Sequence, residues 1–121
     1  MNKVILITGC SSGFGMLTAA KLAAAGHTIY ATMRNLQKQN ALMLELEQRD
    51  TMCQILHLDV TEDKSINKVI DTIEKQAGRL DVLINNAGYG IGGFFEDLLE
   101  DEIRSQFETN FFGVQKVTRS A

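Results

Sequence analysis

Lys3-Val4-Ile5-Leu6-Ile7-Thr8-Gly9-Cys10-Ser11-Ser12-Gly13-Phe14-Gly15 decides the fold. Its first half, Lys3 to Thr8, is a short β-branched run, and its near-continuous apolarity suits a strand covered on both faces. Its second half spaces glycines as G-x-x-x-G-x-G. Leu17 to Ala25 then follows, rich in Ala and Leu, and stops at Gly26, a residue type that ends helices in a left-handed conformation. A strand, a glycine loop and a helix in direct succession put free N–H groups and the positive helix end where a pyrophosphate can be held. Glycines let the backbone approach that anion, and the Ser11 and Ser12 hydroxyls add donors. Gly9, Ser11, Ser12, Gly13, Phe14 and Gly15 are therefore candidate cofactor contacts. The alternative is a tight strand-to-helix turn whose glycines serve packing alone.

Outward from this stretch the pattern alternates. Thr28 to Met33 (TIYATM) predicts a second strand, and Leu36 to Arg49, with Leu42 and Leu46 among good helix formers, a second helix. Cys53 to Leu58 predicts a third strand. Thr61 is the expected N-cap of a third helix, with Glu62 and Asp63 in the first turn, where the helix dipole favours acids. Ile66, Val69, Ile70, Ile73 and Ala77 then form one apolar stripe before Gly78. Leu80 to Asn85 reads as a fourth buried strand and Tyr89 to Leu99 as a glycine-rich loop. Ile103, Phe107, Phe111, Val114 and Val117 mark a fourth amphipathic helix. Strands alternating with helices predict one α/β domain over residues 1–121, a doubly wound parallel sheet of about four strands and four helices. In such sheets ligands bind beyond the carboxyl ends of the strands.

Composition narrows the function classes. Twelve Lys and Arg against fifteen Asp and Glu give a net charge of −3, which removes the basic footprint of a nucleic-acid binder. The longest apolar run, Val4 to Ile7, is too short to span a bilayer, so no membrane partner is expected and the cytoplasm is the expected location. Cys10 and Cys53 form no C-x-x-C spacing, and with two scattered histidines neither a disulfide scaffold nor a zinc site is indicated.

Each remaining strand end carries polar residues. The second ends at Arg34, where dinucleotide folds that prefer NAD usually place an acid on the ribose. A guanidinium there can hold a 2′-phosphate that a carboxylate would repel, which favours NADP(H) over NAD(H); a solvated arginine capping the strand is the alternative. Asp59-Val60 closes the third strand, where the carboxylate can accept from an adenine amino group while the valine covers the ring. Asp59 reads equally well as a turn residue. Asn85-Asn86-Ala87-Gly88 ends the fourth strand; small residues there allow close packing on a ligand, and the amides can tie neighbouring strand ends, or simply form a turn. Asn110 keeps the helical spacing of Ile103, Phe107, Val114 and Val117, which places an amide on the buried stripe. Burying it unbonded would cost about 1–3 kcal/mol, so a partner is expected, whether in a site or in the core. His27 is expected at the surface or a helix end and His57 packed on its strand. Cys10, near a helix N-terminus, is either a thiol of lowered pKa or a loop-filling residue. The acidic run from Glu96 to Glu102 reads as a solvated lid and helix start.

Together these residues resemble the N-terminal half of a classical short-chain dehydrogenase/reductase. TGCSSGFG at Thr8 to Gly15 is similar to that family's cofactor loop, Asp59-Val60 to its adenine-side pair, and NNAG at Asn85 to Gly88 to its strand-four signature. Asn110, within ETNFFG, matches the asparagine of the family's catalytic tetrad. YATMRN, with Arg34, is similar to NADP-preferring members. The resemblance implies hydride transfer between NADP(H) and an alcohol or carbonyl small-molecule substrate. In that mechanism a tyrosine exchanges the proton, a lysine lowers its pKa, a serine orients the carbonyl and the asparagine positions a relay water. No Y-x-x-x-K occurs here: Tyr30 and Tyr89 are followed at the fourth place by Arg34 and Gly93. The expectation is a piece of a longer reductase that binds cofactor without turnover; the alternative is a noncatalytic dinucleotide-binding or redox-sensing module. Tyr89, Phe94 and Phe95 are candidates for the near side of a substrate pocket, or for core or lid. Family topology leaves the fourth strand as an edge, so a homo-oligomer joined through that strand or the last helix is expected.

Overall fold

The computed structural model describes residues 2–88, 100, 101, 104 and 108–121, apart from the side chain of Phe111. Four parallel strands, β1 (Val4–Ile7), β2 (Thr28–Met33), β3 (Gln54–His57) and β4 (Val82–Ile84), form a sheet in the order β3-β2-β1-β4. Helices α1 (Gly13–Ala24), α2 (Asn40–Gln48), α3 (Asp63–Ala77) and α4 (Val114–Ser120) alternate with them. Register is direct, with Leu6 opposite both Tyr30 and Leu83.

The alternation of side chains along a strand sorts the core into two layers. Ile5, Ile7, Ile29, Ala31 and Met33 point to one face, against Ala19, Ala20 and Ala23 of α1 and Leu42 and Leu46 of α2. Val4, Leu6 and Tyr30 point to the other, against Ile66, Val69 and Ile73 of α3 and Val117 of α4. Burying a Leu or Ile contributes about 1.5–3 kcal/mol, so the two central strands, fully covered, hold the sheet together. This is a Rossmann-type doubly wound arrangement.

Several local expectations are corrected. Helix α1 starts at Gly13, inside the glycine motif, four residues before Leu17; Ser12 is extended at its N-cap (φ −164°, ψ 174°). The second helix is broken: Leu36–Lys38 forms a 3-10 turn because the Asn35 side chain accepts the Gln37 N–H at 3.0 Å, and α2 begins afresh at Asn40. Glu62, not Thr61, is the N-cap of α3, without a side-chain cap bond, because Thr61 is held by Asp59 instead. β4 is not fully buried: it is an edge strand with Val82 38% exposed. His57 is exposed too, with Nε2 3.8 Å from Glu62 on the rim of the other edge strand.

The last helix departs most. Ahead of α4 the chain makes a π-helical turn over Glu108–Gly113. Its wider winding slips the phase of the apolar stripe, so Val117 is fully buried while Asn110 is exposed rather than on the buried face. A side chain at Gly113 would run into Val60, at 2.5 Å from Cγ2, so the turn packs backbone directly on the end of the third strand. Ile103 and Phe107 fall outside the described residues, as do Tyr89, Phe94, Phe95 and Glu96, Asp97 and Glu102 of the acidic run. Glu100, also of that run, is exposed and bonded to Arg104 at 2.8 Å.

Candidate functional site

The carboxyl ends of the strands converge on a groove of about 210 Å³ lined by Gly9, Ser11, Arg34, Asp59, Val60, Ala87, Gly88 and Thr109. Larger hollows lie beside Met43 and Met52, between α3 and α4, against Ile70 and Leu80, and beside His27 and Gln54. None of these is bordered by the glycine loop, so the groove is where backbone donors and charged ends meet.

The loop is shaped by what it touches. Gly9 has φ +71°, and a Cβ there would lie 2.8 Å from Ala87 Cα. Gly15 is buried, and a Cβ there would collide with the Gly9 carbonyl oxygen and Asn86 Nδ2. Gly13 has φ +62° with open space around it. Two glycines therefore let the loop lie against the strand-four signature, and the third turns the chain into α1. The Cys10 N–H donates to the Thr32 carbonyl at 2.9 Å, fixing the loop on its other side. A backbone held this way at a helix N-terminus fits a diphosphate. Ser11 lines the groove, Ser12 is exposed with no cap bond, and Phe14 projects outward, 85% exposed.

Arg34 is exposed at the end of β2 on the groove wall, and no ion pair engages it among the described residues. Asp59 faces the same groove, half-buried. Val60 lines it as well, although its side chain is buried in the layer beneath α3 and α4. Asn86 Nδ2 donates to the Gly9 carbonyl at 3.0 Å, and Asn85 Nδ2 donates to Thr118 Oγ1 of α4 at 3.1 Å. Gly88 lacks the Cβ that would sit 2.8 Å from Asn110 Oδ1, so the π turn brings that amide onto the end of β4.

The chain matches the short chain dehydrogenase family over residues 3–121. It belongs to that family. Among its relatives, 3-ketodihydrosphingosine reductase of Bacteroides thetaiotaomicron is 41% identical over 118 residues, 98% of this chain and 40% of that protein. Bovine (Bos taurus) retinol dehydrogenase 8 is 37% identical over 124 residues, 98% of this chain and 38% of that protein. The chain spans about 40% of the length of these curated relatives. A variant actinorhodin polyketide ketoreductase solved with NADPH superposes with a TM-score of 0.89 at 28% identity, covering 98% of this chain and 46% of that one.

Within this short-chain dehydrogenase frame, Thr8, which the sequence places at the end of the first strand and the start of the glycine motif without a role of its own, has a structural one. It is buried, and its Oγ1 accepts the N–H groups of Asn86 and Ala87 at 3.1 and 3.0 Å. One hydroxyl thus fastens the ends of β1 and β4 together. Its signal was a polar residue closing an otherwise apolar strand. Thr32 repeats the device on β2, donating to the Ile7 carbonyl at 3.0 Å.

Cys10 is a loop-filling residue and not an activated thiol. It is fully buried, with Sγ donating to the Ile7 carbonyl at 3.4 Å. Burial pushes it up from 9.0 to about 12, against a lowering backbone hydrogen bond from the Thr32 region. Cys53 is raised by burial to about 11. Both folded values exceed the unfolded one, so the thiols favour the native state below pH 9. Above it the unfolded chain releases protons that the native state retains, and stability falls by up to about 1.4 kcal/mol per pH unit for each thiol. Urea unfolding between pH 8 and pH 10.5 should show this decline, shallower in Cys10→Ala. An equal slope in that variant would remove Cys10 as its source.

Proposed function

We propose that this chain is the cofactor-binding half of an NADP-dependent oxidoreductase that transfers a hydride between NADP(H) and an alcohol or carbonyl substrate. The observation carrying this reading is the groove itself: a glycine loop pressed on Ala87, with the Arg34 guanidinium, which no ion pair engages among the described residues, and the Asp59 carboxylate along its walls. In this reading Gly9, Ser11, Ser12, Gly13, Phe14 and Gly15 hold the diphosphate, Arg34 the 2′-phosphate, Asp59 and Val60 the adenine, and Asn86, Ala87 and Gly88 the wall beside the nicotinamide ribose. The bound dinucleotide supplies or accepts the hydride. Asn110 positions a water for proton transfer. The NADPH-bound ketoreductase neighbour and the reductase and dehydrogenase names of the relatives support the assignment.

Fluorescence titration tests it. NADPH should bind at least about tenfold more tightly than NADH, the worth of one charge-assisted hydrogen bond. Because no Y-x-x-x-K occurs in these 121 residues, the chain alone should bind NADPH without oxidising it. Tighter NADH binding, or no binding of either, would reject the reading.

The outer side of β4, which pairs with no strand among the described residues and leaves Val82 exposed, further supports association of copies through that edge or the last helix. A monomer by light scattering at high concentration counts against it. No described helix is long and apolar enough to cross a membrane. In this reading the enzyme works in the cytoplasm on small molecules, and the net charge of −3 supports partners other than nucleic acid.

A further inference from the structure

We infer that Thr61 is a positioning residue that sets the adenine preference of the groove by fixing the carboxylate of Asp59. The inference rests on the proposed adenine role of Asp59. One oxygen of that carboxylate, Oδ1, accepts both the Thr61 N–H at 2.9 Å and the Thr61 hydroxyl at 2.6 Å. The other, Oδ2, has no partner among the described residues, and Asp59 lines the groove. Occupying Oδ1 twice on one side defines the plane of the carboxylate, which leaves Oδ2 as the acceptor available to a ligand.

The backbone beneath is held as firmly. The Asp59 N–H donates to Ser65 Oγ at 3.0 Å, and that hydroxyl has the Asp59 and Glu62 carbonyls within 2.9 Å as acceptors. Ser65 is buried, 8% exposed, on the first turn of α3. The Glu62 N–H closes the turn on the Asp59 carbonyl at 2.9 Å, and Lys116 Nζ reaches the Thr61 carbonyl at 3.4 Å from α4. The same contacts that displace Thr61 from helix capping give it this second use. A carboxylate free to rotate could turn toward water or toward Arg34. Fixed, it offers one acceptor to an exocyclic amino group and repels an exocyclic carbonyl oxygen in the same place.

Hypoxanthine, which carries an oxygen where adenine carries the amino group, is therefore the discriminating probe. The full chain should bind NADPH about tenfold or more tightly than its reduced hypoxanthine analogue, as one charge-assisted hydrogen bond allows. Thr61→Val keeps the side-chain shape and removes the hydroxyl. It should bring that ratio to within about threefold, chiefly by weakening NADPH, because half or more of so small a hydrogen-bond energy is lost when its geometry is not held. Thr61→Ser should restore the ratio. A purely structural role would weaken both nucleotides by one factor and leave the ratio unchanged, which would overturn the inference. If Asp59→Asn abolishes the preference but Thr61→Val keeps it, the inference fails while the adenine role of Asp59 stands. If the unaltered chain shows no adenine preference, both fail together.

Discussion

Gly9→Ala and Gly15→Ala should each lose NADPH binding and be destabilised in urea unfolding, by about 2–5 kcal/mol at Gly9 and about 1–3 kcal/mol at Gly15, whereas Gly13→Ala should lose only about 1–2 kcal/mol and keep the loop in place. The three glycines belong to one motif, yet the structure gives them different burdens. At Gly9 two costs combine. The backbone sits at φ +71°, which a Cβ disfavours, and that Cβ would lie 2.8 Å from the Cα and 2.9 Å from the N of Ala87. Neither atom belongs to a flexible side chain that could swing aside. At Gly15 the backbone is helical, but the added carbon would collide with the Gly9 carbonyl oxygen and with Asn86 Nδ2. Relief would require giving up the Asn86 hydrogen bond to Gly9, which joins β4 to the loop. At Gly13 there is a positive φ of +62° and nothing within 4 Å, so only conformational strain remains. Equal losses at all three positions would mean that the loop is not pressed against Ala87.

This ranking also marks how far sequence reaches. The G-x-x-x-G-x-G spacing between an apolar run and an Ala-rich segment made the loop and its place legible, because strand, turn and helix are local signals. Spacing could not show which glycine carries a contact and which carries only a turn, since Ala87 lies 78 residues from Gly9 along the chain. The Thr8 hydroxyl that binds the Asn86 and Ala87 amides has the same character: a hydrogen bond between strand ends leaves no periodic trace. Thr61 shows competition rather than distance. Its type and place suit an N-cap, but the Asp59 carboxylate two residues earlier offers a charged acceptor, which outweighs a neutral cap bond. Asn110 was misplaced because helical spacing presumes 3.6 residues per turn, and the Glu108–Gly113 turn does not obey it. Its approach to Gly88 was beyond periodicity altogether, being set by the missing Cβ on β4's trailing loop.

Arg34→Asp should move the ratio of NADPH to NADH affinity by about two orders of magnitude or more, a larger change in ligand choice than Thr61→Val should produce. The guanidinium stands exposed on the groove wall, near Ser11 in the loop, and no described carboxylate pairs with it. Its donors are therefore available to a phosphate, and a salt bridge need not be broken first. Replacement removes a charge-assisted hydrogen bond worth about 1.5–3 kcal/mol and sets an anion against a group of nearly two negative charges. NADH carries no 2′-phosphate, and the new carboxylate can accept from its ribose hydroxyls, so NADH affinity should hold or rise. Asn35 does not substitute for Arg34, because its amide carries no positive charge, and its side-chain oxygen is already the acceptor of the Gln37 N–H. Salt provides an internal control: an exposed guanidinium is screened over about 8–10 Å at physiological ionic strength. The NADPH preference of the unaltered chain should therefore shrink as salt rises, while NADH binding changes less. Titrations of both nucleotides, at low and high salt, in the unaltered chain and in Arg34→Asp would decide it. Parallel losses of NADPH and NADH in the variant would assign Arg34 to the fold of the strand end rather than to the 2′-phosphate.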